Sequence, residues 1–159
     1  VEEQTRPNLL DPEQGLVIRP MRERDLPAIS RLEKSSLLSP WSDASFLSAI
    51  RNPQGVNLVC EHHSRLIGYL TSFWVLDEAS LTNIFVESTR RRKGTGTLLL
   101  KHLVEFVRER GVKRIFLEVR EGNQEAIRLY QAMNFYVIGT RSGYYADNSD
   151  TALVMKLDL

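Results

Sequence analysis

The run Arg91-Arg92-Lys93-Gly94-Thr95-Gly96 sets three cations and two glycines between an apolar segment, Leu81 to Val86, and a helix-like stretch, Thr97 to Arg110. Glycines let an anion approach the backbone without a Cβ in the way. The first-turn amides of the following helix, at the positive end of its dipole, would then point at that anion. The chemistry implied is phosphate binding, against the plainer reading of a solvated basic turn. Two well-known phosphate loops do not fit. A nucleotide-triphosphate loop closes on Gly-Lys-Ser/Thr, whereas Lys93 precedes both glycines and Leu98 follows Thr97. A dinucleotide fingerprint needs a third glycine and an acidic residue at the end of the next strand. The third glycine is missing, and Glu118 lies within the run Ile115 to Val119 rather than after it.

Glu118 is itself a candidate for chemistry, being a carboxylate in an otherwise apolar strand. Read from its neighbours alone, it is either a base or a strand glutamate that faces solvent or pairs with Arg120 or Arg114. Tyr130 reads as an amphipathic tyrosine with its ring in the core and its hydroxyl at the rim. Asn123 reads as a helix N-cap. Cys60, the single cysteine, sits in Leu58-Val59-Cys60 and reads as a small buried hydrophobe, with nothing beside it to activate a thiolate. His62, His63 and His102 lack metal-ligand spacing, so no metal is expected.

These groups must be positioned by a fold of modest size. A chain of 159 residues reads as one domain, residues 15–159, preceded by a loose tail over residues 1–14, which carries Pro7, Pro12 and four acidic residues. The net charge of +1 argues against a general affinity for DNA; positive charge gathers at Arg90 to Lys93 instead. One cysteine and no apolar stretch long enough to span a bilayer point to a cytoplasmic protein without a membrane partner. The first half reads as a strand at Leu16–Arg19, a helix capped by Asp25, a second helix capped by Ser42, and a meander of strands over 57–61, 66–76 and 80–86. The second half alternates: helix 97–110, strand 114–119, helix 123–133, strand 136–141 and strand 151–157. The sum is a mixed α/β sheet flanked by helices.

Arg-x-x-Gly-x-Gly before a helix resembles the pyrophosphate loop of the GNAT acetyltransferases, which use acetyl-coenzyme A. The likeness continues through Asn123, Ala126, Leu129 and Tyr130, as Asn-x-x-Ala-x-x-Leu-Tyr, and Asn134-Phe135 stands at the family's Gly-Phe. Pro40-Trp41-Ser42, Leu76-Asp77-Glu78-Ala79, Asn83-Ile84, Leu117-Glu118-Val119-Arg120 and Tyr144-Tyr145 narrow it to the RimI-like branch, and the match runs from Leu16 to Leu157. Ser88 departs from the pattern, where relatives commonly have proline.

The resemblance implies the GNAT fold (α/β, α+β): a mixed, mostly antiparallel sheet with a V-shaped splay between the strands at 80–86 and 114–119. It implies acetyl-coenzyme A held by the backbone of Ile84, Phe85 and Val86, by Arg91, Arg92, Lys93, Gly94, Thr95, Gly96 and Thr97, and by Asn123. It makes Glu118 the base and Tyr130 the acid, and puts Trp41, Tyr144 and Tyr145 beside the acceptor. The acceptor it implies is the α-amine of a protein N-terminus, an alanine of a small-subunit ribosomal protein. The rivals are a transferase for a lysine side chain, a polyamine or an amino-acid-like metabolite, a non-catalytic acyl-coenzyme A module, or a ribosome-associated factor using Arg90 to Lys93 on RNA. Oligomeric state is not legible in the sequence.

Overall fold

The computed structural model describes residues 9–11, 15–34, 41–145 and 150–159. Its strands are β1 (Leu9–Asp11), β2 (Leu16–Pro20), β3 (Gly55–His62), β4 (Arg65–Val75), β5 (Glu78–Val86), β6 (Arg114–Arg120), β7 (Tyr136–Arg141) and β8 (Ala152–Asp158). They form one sheet in the order β1-β2-β3-β4-β5-β6-β8-β7. Every neighbouring pair is antiparallel except β5 and β6. The parallel pair needs a crossover, supplied by α3 (Thr95–Arg108).

Helices cover the two faces unequally. On one face, α1 (Leu26–Lys34) and α2 (Asp43–Arg51) close over β3 and β4, burying Met21, Ile29, Phe46, Val59, Tyr69 and Phe85. On the other, α3 and α4 (Gln124–Ala132) bury the larger cluster. α3 earns its place by pattern: Leu99, Leu100, Leu103, Val104 and Val107 recur at helical spacing and are all buried. No helix among the described residues is long and apolar enough to cross a membrane.

Several expectations shift. The tail expected over residues 1–14 contains β1, which pairs Leu9 with Ile18 and Asp11 with Leu16; residues 1–8 and 12–14 lie outside the described residues. Asp25 does not cap α1. It ends a 3-10 turn, Glu23–Asp25, and its buried carboxylate takes a two-pronged bond from Arg19 at 2.7 and 2.8 Å and the Arg22 amide at 2.8 Å. Ser42 does cap α2, accepting from the Ser45 amide at 3.2 Å. α3 begins two residues earlier than the sequence suggests. Among the aromatics, Phe46 is fully buried, Phe73 is exposed, and Trp74 lies edge-on to Phe106 with centroids 6.2 Å apart.

Candidate active site

The parallel pairing of β5 with β6 runs only from Glu78↔Arg114 to Leu81↔Leu117. Beyond it β5 stays with β4 as far as Val86↔Gly68, and β6 stays with β8 as far as Arg120↔Ala152. The two strands therefore part at Thr82 and Glu118, which is the expected splay. Its local cause is a bulge that the sequence reading missed. Thr71 pairs with Asn83 and Ser72 with Leu81, leaving Thr82 as the extra residue. Such an insertion bends its strand and sharpens its twist. The Thr82 hydroxyl holds the bulge, donating to the Thr71 carbonyl at 2.9 Å. Past it, the β6-facing groups of β5 have no strand partner, a condition buried backbone must answer by other means. One is answered internally, since Arg91 Nε donates to the Val86 carbonyl at 3.0 Å.

After β5 the chain makes a 3-10 turn, Ser88–Arg90, and then two left-handed residues, Arg92 (φ 59°) and Gly94 (φ 83°). Gly94 is the N-cap of α3, whose first bond runs from the Leu98 amide to the Gly94 carbonyl at 2.9 Å. The amides of Thr95, Gly96 and Thr97 therefore have no helical acceptor. Gly96 has a second duty. A Cβ there would lie 3.0 Å from Leu129 Cδ2, so its bareness lets α4 pack on the first turn of α3.

These pieces wall a cleft of about 450 Å³. Ile84, Phe85 and Val86 form one side, Arg90, Arg91, Arg92, Gly94, Gly96 and Thr97 the end, and Asn123, Ala126, Leu129 and Tyr130 the other side. Of the expected phosphate-loop residues, Lys93 and Thr95 do not line it; the Thr95 side chain is buried beneath the turn and its hydroxyl lacks a protein partner. Asn123 does cap α4, accepting from the Ala126 amide at 3.2 Å, while lining the cleft. An apolar wall, unpaired strand groups and a basic helix N-terminus suit a long amide-bearing chain that ends in a pyrophosphate.

Glu118 is the first β6 residue past the last parallel pair. Leu117 and Val119 belong to the core under α3 and α4, so alternation sends Glu118 to the opposite face. Neither expected cation pairs with it. Arg114 goes to Asp77 and Glu78, at 3.7 and 3.1 Å, and Arg120 to Asp150 at 3.4 Å. Glu118 is held instead by Arg141 of β7 at 3.1 Å and by the Tyr144 hydroxyl. No local signal marks Arg141, because strand order alone brings β7 there. Tyr130 is 5% exposed. Burial pushes its phenol well above the ordinary value, with Tyr145 adding to the effect, so it is fully protonated at neutral pH. The two groups thus flank the splay from opposite faces.

Tyr144 and Tyr145 meet edge-to-face with centroids 5.0 Å apart, and the Arg120 guanidinium lies 4.0 Å over the Tyr145 ring. Trp41 stacks obliquely on Phe46 at 5.3 Å. It borders a second hollow with Ser45, Ser48, Phe73 and Thr82, on the face toward which Glu118 points. Pro40, adjacent in the sequence motif, lies outside the described residues. Beneath this hollow is a network the sequence did not reveal. The Tyr69 hydroxyl donates to buried Glu33 and accepts from Asn83 Nδ2 at 2.9 Å, and the Trp41 amide also reaches Glu33. It ties α1, the start of α2 and β5 together beside the splay. Cys60 is buried, which pushes its thiol up to about 12 and leaves it inert as a nucleophile.

Comparison with known proteins adds to this geometry. The model of a family described as acetyltransferase (GNAT) matches residues 26–135. The ribosomal protein bS18-alanine N-acetyltransferase of Escherichia coli K12 is 33% identical over 144 residues, covering 89% of this chain and 97% of its own. The Salmonella typhimurium protein of the same name is 35% identical over 137 residues, covering 85% and 92%. The crystal structure of the E. coli ribosomal-protein-S18-alanine N-acetyltransferase superposes with a TM-score of 0.83 at 33% identity over 90% of this chain and 93% of that one. That of Ard1 from Thermoplasma volcanium gives 0.84 at 26% identity over 91% and 98%.

Proposed function

The chain belongs to the GNAT acetyltransferase family, and from that premise we propose that it acetylates the α-amine of a protein N-terminus, the N-terminal alanine of ribosomal protein bS18. The acceptor comes from the names of relatives that match over most of their length. What carries the reading is the splay: one break in the sheet borders the basic cleft on the α3–α4 face and Glu118 on the other.

Acetyl-coenzyme A supplies an acetyl group activated as a thioester. On this reading the amides of Thr95, Gly96 and Thr97, with Arg90, Arg91 and Arg92 around them, hold its pyrophosphate. The unpaired β5 groups from Ile84 to Val86 pair with its amide-rich arm, and a β5 amide stabilises negative charge developing on the acetyl oxygen. The acceptor amine comes from the face of Trp41, Tyr144 and Tyr145. Its pKa of about 7.7–8.0 leaves a modest task for the base: Glu118 takes the proton as the N–C bond forms. The C–S bond breaks, and Tyr130 gives its phenolic proton or a hydrogen bond to the departing thiolate.

Thiol release from acetyl-coenzyme A distinguishes this from the other amine classes. Peptides beginning with alanine, serine or methionine are compared with N-terminally blocked lysine peptides and a polyamine. The expected result is turnover that requires a free α-amine and favours alanine. Turnover confined to lysine or the polyamine, or tight binding of acetyl-coenzyme A with no turnover, would refute it.

A further inference from the structure

The carboxylate of Glu118 does not face the splay bare. Arg141 Nη1 stands 3.1 Å from it with its side chain 58% exposed, and the Tyr144 hydroxyl takes a further position on it. The Tyr144 ring also lies 5.7 Å from the Arg141 guanidinium. Across the helix-free part of the same sheet face the pattern repeats: Arg120 with Asp150 at 3.4 Å, and Lys156 with Asp158 at 3.0 Å. These three carboxylates, Glu118, Asp150 and Asp158, each have a cation within 3.4 Å. The mouth is thus polar without forming a negative well. For Glu118, Arg141 supplies that cation as a planar, delocalised guanidinium whose fork suits a carboxylate.

Resting on the N-terminal reading of the site, we propose that Arg141 is a specificity-determining residue that selects for amines able to arrive uncharged. An unshielded carboxylate at the splay would attract any ammonium group. Lysine side chains, with pKa about 10.4, and polyamines are almost wholly cationic at neutral pH and unreactive in that form. They would occupy the site without being acetylated. With Arg141 beside Glu118 an incoming cation meets little net attraction and one repelling neighbour. A neutral α-amine loses nothing from that charge and can donate directly to the carboxylate. Arg141 thereby disfavours the ε-amines and polyamines that resemble the proper acceptor most closely.

The test sets wild type beside Arg141→Gln, Arg141→Lys and Tyr144→Phe. The acceptors are a lysine-free peptide with N-terminal alanine and an N-terminally blocked lysine peptide; spermidine is the inhibitor. In Arg141→Gln the ratio of kcat/KM for the α-amine over the ε-amine should fall by about fivefold, and spermidine should inhibit more tightly by a similar factor, as expected for one partly exposed charge partner. Arg141→Lys should keep both near wild type. A merely structural role would lower both acceptors together and leave spermidine unaffected, and that result would overturn the proposal. Wild type that turns over the alanine peptide while the ratio is unmoved by Arg141→Gln sinks this inference alone. Wild type inactive on the alanine peptide sinks the N-terminal reading and this inference with it.

Discussion

On the proposed mechanism Glu118 and Tyr130 serve the two ends of one transfer, so their removal should be read by different pH behaviour. Glu118→Gln should lower kcat/KM at pH 7 by roughly 10²–10⁴-fold, the usual range for a general base. The deficit should shrink toward pH 9, as an acceptor of pKa about 7.7–8.0 deprotonates unaided. A deficit that stays constant over that range would remove the base role. Tyr130→Phe keeps the ring that packs 5.8 Å from Phe135. It should therefore lower kcat with little change in the KM for acetyl-coenzyme A, at every pH where the buried phenol is protonated. The anomaly of a carboxylate amid Phe116, Leu117 and Val119 was legible in the sequence. Its partner was not. Arg141 reaches it through the order β6-β8-β7, and no local pattern encodes which strand joins an edge last. The Glu33–Tyr69–Asn83 chain was hidden in the same way, its members lying on α1, β4 and β5.

At the scale of elements, the cleft depends on how α3 starts. A left-handed residue other than glycine costs about 1–2 kcal/mol, so Gly94→Ala (φ 83°) should raise the KM for acetyl-coenzyme A and lower Tm modestly. Gly96→Ala acts by contact instead: its Cβ would crowd Leu129 Cδ2 at 3.0 Å. If that crowding is the cause, adding Leu129→Ala should restore acetyl-coenzyme A binding lost in Gly96→Ala. Titration of the ligand into the single and double variants checks it, and a double variant weaker than the single would contradict it. Sequence reasoning put the helix start at Thr97 because Gly-Thr-Gly has the composition of a turn. The structure draws Gly96 into the helix because α4 needs close approach there. The periodicity of Leu99, Leu100, Leu103 and Val107 was legible because every position is resolved by one local period. The bulge at Thr82 was not, since it exists only relative to β4. β1 escaped notice for the same reason: two leucines between prolines read as tail until β2 offers an edge.

For the molecule as a whole, stability hangs partly on one buried ionic cluster. Arg19 of β2 bridges Asp25 at 2.7 Å and Glu61 of β3 at 2.8 Å, with the Arg19 and Asp25 side chains 15% and 7% exposed. Arg19→Leu should cost about 3 kcal/mol in urea unfolding, the lower end for stranding a buried partner. Burial pushes the Asp25 carboxyl up, but Arg19 and the Arg22 amide outweigh it and hold it below its ordinary range. A depressed carboxyl stabilises fully above its unfolded value, about 3.9, and the contribution fades as pH falls through the folded value. Asp25→Asn should therefore flatten the loss of stability below about pH 4. Glu33 carries the opposite sign: burial raises it despite the Tyr69 bond, so its contribution is complete below the ordinary carboxyl value and fades as pH rises through the raised one. Across the chain, the alternation of helix and strand told the fold class, and the basic glycine turn pointed to a phosphate-bearing ligand. The placement of the cleft on one face of the sheet and Glu118 with Arg141 on the other rests on the assembled strand order.

The most direct measurement is tandem mass spectrometry of a peptide with N-terminal alanine and one internal lysine, after incubation with the protein and acetyl-coenzyme A. The account predicts a single added acetyl group on the α-nitrogen, formed far more slowly with Glu118→Gln at pH 7. Acetyl on the lysine nitrogen, or equal labelling of both amines, would contradict it.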